Sequence, residues 1–344
     1  MNYSTEKWLV VELTFNTTKK YDGVDAFYVI MDAEFVNRET KKTYNIPCFW
    51  DGDSTFKARF APTELGTWDY VTKCDTDESL NGITGTVECT EYTGDLELYK
   101  HGFIKSVLGT KYFVYDDGTP FFYLGDTHWN MFTEEFDSAG DHAVGIETDS
   151  HFKYIVDKRI AQGFNVYQSE PLGGFHLDAG FNETSLEEFQ HADKYFKYLA
   201  DKGVTHANAQ FFFCTRLTEE FFNDGDKLEI LSRYWCARYA AYPVMWTLAQ
   251  ECDNDMYDEN HPGQKTWWNY ANNPWVTVAE FMHKHDAYNR PLSGHQESAI
   301  WTTVTGEGAY YPKKSNGGRS VFADDDVSEK CGHDWWATQW KHPV

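Results

Sequence analysis

The chain has 344 residues, enough for two domains, and carries a formal net charge of −24. That charge repels phosphate backbones and gains nothing at an anionic membrane surface, so nucleic-acid and membrane partners are not expected. Aromatic residues make up 17% of the chain, so the rings must either fill a large interior or wall a surface that receives flat apolar faces, and a neutral sugar suits both properties.

The N-terminus, "MNYSTEKWLVVELTF", has no basic head followed by a long apolar core. No run approaches the ~20 apolar residues of a membrane helix. The expected location is the cytoplasm. Cysteines at 48, 74, 89, 214, 236, 252 and 331 are odd in number and form no CxxC pair. They are expected to be reduced thiols used as small core residues.

Over residues 1–100, short β segments follow one another at the spacing of turn signals. "WLVVELTF" and the long run "DAFYVIMDAEFVN" read as strands. "STFKARFAP" alternates, with Phe56, Ala58 and Phe60 on one face and Lys57 and Arg59 on the other. "LGTWDYVTKC" and "GITGTVECTEY" follow. This pattern predicts an N-terminal antiparallel β-sandwich domain.

Residues 101–344 form the second expected domain. "KYFVYDDGTPFFYLGD" reads as a hairpin turning at Asp-Asp-Gly-Thr. From there strands alternate with helices. "DSHFKYIVDKRIAQG" is a helix with Asp149 or Ser150 as cap and Gly163 as its end, followed by the strand "FNVYQSEP". "TSLEEFQHADKYFKYLADKG" is a helix in which Ser185 and Glu188 have capping-box spacing, and Gly203 closes it. The strand "HANAQFFF", the helix "DKLEILSRYWCARYAAY" and the strand "VMWTLAQE" come next. The helix "NPWVTVAEFMHKHDAYNR" has Asn273 as cap and Pro274 in its first turn. "LSGHQ" and "DWWATQW" complete the series.

Six strands with four helices between them imply right-handed βαβ units and a parallel sheet. A doubly wound sheet and a closed barrel both fit the alternation. The barrel is favoured because polar residues recur at the strand tips: Asp126 and His128, Gln168 and Glu170, Gln250 and Glu251, His295 and Gln296, and Gln339. In a (β/α)8 TIM-type barrel all such tips converge on one mouth. Eight units of about 40 residues need more chain than remains after residue 121. The expectation is therefore a barrel that lacks its last strands, or whose last strands are short and hidden between 298 and 332.

The tips carry the candidate chemistry. Glycosidic bonds are cleaved by two carboxyl groups facing each other across the anomeric carbon, one of them a proton donor of raised pKa. Glu251 follows the apolar run "WTLA", whose low dielectric disfavours its charged form, and it is the expected catalytic acid. A solvated glutamate at a strand end is the plainer alternative. Asp126, His128 and Trp129 suit hydroxyl binding and ring stacking. Gln168, Glu170, Gln250, His295 and Gln296 are expected to contact substrate, and Trp246 shares a strand face with Gln250. No HExxH occurs, and His283 and His285 point different ways on a helix, so no metal or other cofactor is expected.

These residues carry a resemblance. "STFKARFAPTELGTWDYVT" resembles the β-sandwich domain of unknown function that precedes apiosidase-like glycoside hydrolase barrels. "FFYLGDTHWNMF", "RIAQGFNVYQ", "VMWTLAQE" and "NRPLSGH" resemble the first, second, fourth and fifth strand regions of that barrel. The resemblance implies a glycosidase acting on a plant-type glycan or oligosaccharide, with Glu251 where the family places its acid/base carboxylate. Many relatives have a Gly-Gly-Asp type ending where this chain has Ala-Gln-Glu. The family's second carboxylate sits on a late strand. Trp129, Trp246 and Trp336 are expected to stack on sugar rings, and Gln339 to stand near Trp336. A carbohydrate-binding protein without catalysis on the same fold is the alternative.

Overall fold

A computed structural model describes residues 1–107, 112–141, 143–169, 180–207, 212–213, 223–247, 249–250 and 275–293. The N-terminal part is built from eight strands: β1 (Asn2–Glu6), β2 (Val11–Asn16), β3 (Asp32–Asn37), β4 (Thr43–Pro47), β5 (Phe49–Trp50), β6 (Thr55–Phe60), β7 (Gly66–Lys73) and β8 (Thr84–Thr90). They form two sheets, ordered β1-β8-β7-β3-β4 and β2-β6-β5. All their pairings are antiparallel except β1 with β8, which is parallel.

The two sheets share a core. Leu13, Phe15, Phe56, Ala58 and Phe60 from one sheet pack with Ala33, Phe35, Trp68, Tyr70 and Val87 from the other. The alternation read in β6 holds on its apolar face, where Phe56, Ala58 and Phe60 are fully buried. Its polar face departs from expectation, because Arg59 is 4% exposed. At Arg59 that face is covered by the second domain, through Asp193 and Arg238, whereas Lys57 stays half-buried. The run 25–37 is also not one strand. A 3-10 turn over Asp25–Tyr28 precedes β3, and Phe27 leaves the sandwich to join the core of the second domain.

A short helix, α1 (Glu97–His101), leads into three small antiparallel strands, β9 (Lys105–Ser106), β10 (Phe113–Val114) and β11 (Pro120–Phe121). The hairpin turn forms where the Asp-Asp-Gly-Thr signal stands. Gly118 has φ +90°, and the Thr119 carbonyl accepts from the Tyr115 amide at 2.8 Å.

The remaining strands are parallel: β12 (Gly125–His128), β13 (Val166–Ser169), β14 (Thr205–Ala207), β15 (Phe212–Phe213), β16 (Trp246–Thr247), β17 (Ala249–Gln250) and β18 (Leu292–Ser293). β12 pairs with β13, β13 with β14, β15 with β17 and β16 with β18. A bridge from His206 to Val244 joins β14 to the run that becomes β16. Neighbours in this arc follow chain order without reversal. A barrel wall is wound this way, whereas a doubly wound sheet reverses at its switch point. Closure into a complete barrel falls outside the described residues.

Among the described residues four helices connect these strands: α2 (His151–Ala161), α3 (Ser185–Asp201), α4 (Gly225–Tyr239) and α5 (Trp275–His285). Ser150 caps α2 by accepting from the Lys153 amide, as its sequence predicts. The start of α3 differs from its expected capping box. Ser185 is already the first helical residue and is fully buried, and the Thr184 hydroxyl pairs with Glu188 at 2.7 Å instead. Asn273 and Pro274 lie outside the described residues.

The helices and the sandwich share one core, in which Phe27 and Phe49 pack with Phe189, Tyr234 and Trp235. Cys48, Cys74, Cys89 and Cys236 are free and buried, in keeping with the reading of cysteine as core filler. Among the described residues no helix is long and apolar enough to cross a membrane.

Candidate active site

The two faces of the parallel arc differ in what covers them. Val166, Ala207 and Met245, from three neighbouring strand positions, cluster with Ile104 and Phe121, apart from the helix-packed core. This is the inner face. Tyr167 and Trp246, one residue later on their strands, belong to the helix-packed core. Side chains alternate along a strand, so this parity sorts the candidate residues.

Gln168 has the parity of Val166 and lies half-buried on the inner face. Asp126 has the other parity. It faces α2, where its Oδ2 accepts from Arg159 Nε at 2.5 Å. His128 follows it on the same face. Trp246, expected at the mouth, is a core residue: it is 1% exposed, and its indole N–H donates to Asp286 Oδ2 at 2.7 Å. The reason is register. Its strand turns Met245 inward, so Trp246 must point to the helices. Trp129 is 36% exposed just past the tip of β12.

Around His128 the structure gathers residues that no spacing in the sequence joins. His128 Nδ1 meets the Tyr167 hydroxyl at 2.7 Å, and its Nε2 meets Glu134 Oε1 at 3.1 Å. The other carboxylate oxygen of Glu134 meets His151 Nδ1 at 2.5 Å. Glu135 Oε2 lies 3.6 Å from His151 Nδ1. The Tyr195 hydroxyl donates to the Glu134 carbonyl. Burial pushes the Glu134 carboxyl up, but hydrogen bonds from His128 and His151 outweigh it and hold the group below the usual glutamate range. Both ring nitrogens of His128 are therefore engaged within the protein. The network can fix the ring's tautomer and its position at the end of the first parallel strand.

Glu134, Tyr167 and His151 escaped sequence reading. Glu134 and His151 are 17 residues apart, and only the path of the loop between β12 and α2 brings them together. Glu134, Glu135 and His151 offer ligand atoms close enough for a cation. Glu134 and His151 already bond each other, whereas Glu135 Oε2 is buried 3.6 Å from His151 Nδ1 without a hydrogen bond.

β17 ends at Gln250. Glu251, Glu170, His295, Gln296, Trp336 and Gln339 lie outside the described residues.

A family model described as a domain of unknown function, DUF5060, matches residues 4–75. A second, described as "Apiosidase-like, catalytic domain", matches residues 108–308. No curated protein matches. Among solved structures, a protein from Bacteroides vulgatus ATCC 8482 assigned as a glycoside hydrolase aligns with a TM-score of 0.62 and 20% identity, over 87% of this chain and 58% of that one. At that identity the likeness is one of fold, and this chain spans 58% of that protein's length. A further structure, a glycoside hydrolase, aligns with a TM-score of 0.39 and 16% identity over 58% of this chain and 42% of its own, and carries no argument. The catalytic-domain model spans more than half of the chain, over the same stretch that forms the arc of parallel strands: the protein belongs to the apiosidase-like family.

Proposed function

We propose that this protein is a glycoside hydrolase that cleaves a plant-type glycan or oligosaccharide, with Glu251 protonating the leaving oxygen. The observation that supports the reading is a parallel strand, β17, whose described residues reach Gln250, next to Glu251 in sequence, in an arc wound like a barrel wall. In this reading the strand runs on through Glu251, and a period of two then gives that residue the parity of Met245. A carboxyl group held there beside apolar neighbours keeps its proton more readily than one in water, as a general acid requires.

In this reading Gln168 and Gln250 contact sugar hydroxyls, joined by Glu170, His295, Gln296 and Gln339. Trp129 and Trp336 stack on sugar rings. Asp126 and His128 act from behind, by fixing the first strand and its loop. A second carboxyl group completes the reaction, as a nucleophile or as a base that activates water. No step asks for a metal or organic cofactor.

The test is hydrolysis of a panel of plant oligosaccharides by the full-length protein and its Glu251→Gln variant. The variant should lose about 10²–10⁴-fold in rate, while its melting temperature stays that of the parent. Near-normal turnover by a folded Glu251→Gln protein sinks the assignment. A parent that binds the same sugars without hydrolysing any of them would favour a carbohydrate-binding role on this fold.

A further inference from the structure

We propose that the junction of the sandwich and the parallel-strand domain holds a second ligand site, which takes a sugar ring bearing a carboxylate. A cavity of about 410 Å³ opens there, walled by Trp8, Tyr44, Phe103 and Tyr288, with Arg290 and Ser106 among its polar groups. That volume lies in the range of small-molecule sites.

Arg290 carries the argument. It is 6% exposed, and its guanidinium sits 4.2 Å from the centre of the Phe103 ring and 4.6 Å from that of Tyr288. Its Nε donates to the Ala240 carbonyl at 3.0 Å, but its Nη2 has no acceptor. Among the described residues no carboxylate stands within ion-pair distance of its guanidinium, and Asp286 and Asp116 act on its charge from farther off. The two other cations of the lining are already answered: Lys42 stands 3.6 Å from Glu64, and Lys105 stands 3.5 Å from Asp116. Ser106 Oγ is a second buried polar atom without a partner. A buried charged donor left unpaired is costly. A carboxylate is the acceptor whose geometry a guanidinium matches best.

The walls supply the rest of the ligand. Tyr44 and Tyr288 have ring centres 5.2 Å apart at 33° and form an aromatic shelf on which a sugar ring can lie. The backbone around the cavity is also held in an uncommon state. Among the described residues four non-glycines have positive φ, and two of them line this cavity, Trp8 at 69° and Asn289 at 50°. Such conformations persist where the surroundings over-determine them, and they cluster at ligand sites. Because Glu64 and Asp116 answer Lys42 and Lys105, Arg290 is the cation of this lining left for an anion. Arg290 precedes β18, which puts the cavity at the end of the parallel strands opposite the tips considered above. The inference therefore stands apart from the glycosidase reading.

The experiment is titration of the full chain with D-glucuronate, D-glucose and acetate, followed by calorimetry. Glucuronate should bind saturably, and glucose and acetate should each bind about tenfold or more weakly. Arg290→Lys should weaken glucuronate binding by a similar factor. Should Arg290→Lys fail to fold, Lys42→Glu decides, because Lys42 is 41% exposed and its reversal puts a like charge at the rim. Absence of glucuronate binding overturns the proposal. So does binding that survives the variants, because it then lies elsewhere, or acetate binding as tightly as glucuronate, because the ring walls then contribute nothing.

Discussion

Arg59 on β6 of the sandwich and Asp193 on α3 form a two-pronged ion pair, Nη1 to Oδ1 at 3.0 Å and Nη2 to Oδ2 at 2.6 Å. Arg238 on α4 donates to the same carboxylate at 3.0 and 2.8 Å and reaches back to Asp51 of the sandwich at 2.7 Å. Arg59 also donates to the Arg238 carbonyl, which brings the two arginines side by side. One aspartate thus bridges two guanidinium groups at the seam between domains, with Glu12 giving Arg59 and Asp51 giving Arg238 a second carboxylate. Phe49 lies within 5.0 Å of both guanidinium carbons.

Removing that aspartate should be severe. Asp193→Ala leaves Arg59 and Arg238 buried and short of an acceptor, a situation that costs about 3–5 kcal/mol. Urea unfolding of parent and variant measures it. A loss below about 1 kcal/mol, the value of an exposed pair, would mean that water reaches the seam.

The same residue predicts acid sensitivity. Burial pushes the Asp193 carboxyl up, but Arg59 and Arg238 outweigh burial and hold it at about 2. Its ordinary value is about 3.9. A carboxyl depressed in the folded state contributes stability that is present above its unfolded pKa and is lost as pH falls through the folded one. The Asp193 contribution should therefore fade between about pH 4 and pH 2. His206 opens a second, higher window. It is buried, and desolvation lowers its imidazole to about 3. The unfolded chain takes up a proton near pH 6.5 that the folded chain refuses, so stability should begin to fall below that pH. Melting temperatures from pH 7 to pH 3 for the parent and His206→Gln should diverge in slope across this window. Parallel curves would remove His206 as a cause.

Trp246 should prove to be a stability residue. Asp286 accepts from its indole and from the amides of Tyr288 and Arg290. Trp246→Phe deletes one donor to a buried carboxylate and should cost about 1–3 kcal/mol. On any glycoside the protein turns over, KM should stay at the parent value. A raised KM in a protein of normal stability would return Trp246 to the substrate.

Glu134 should behave as a positioning residue. Glu134→Gln keeps the shape but removes the charge that His128 and His151 share. The expected result is a fall in kcat of about tenfold or more with little change in KM and a shifted pH profile. Unchanged kcat would confine the network to structure.

Much of the fold was legible because periodicity is a local property. The buried set Phe56, Ala58 and Phe60 follows from alternation within one strand. The Ser150 cap follows from a serine ahead of an apolar stripe. The hairpin at Gly118 follows from residues that favour its turn. The alternation of strand and helix after residue 121 implied parallel pairing, and the chain-order arc realises it.

The rest depended on partners far along the chain. Arg59 reads as a solvent residue until Asp193, 134 positions later, covers it. Trp246 reads as a stacking ring until the register of its strand turns Met245 inward and the indole toward Asp286. The links from Glu134 to His128 and His151 come from a loop path that carries no periodic signal. By itself the sequence determined which faces are apolar and which type most elements have, because those preferences act within a turn or a strand. Only the tertiary structure decided which polar groups lose their water, because desolvation is set by whatever packs against them from elsewhere in the chain.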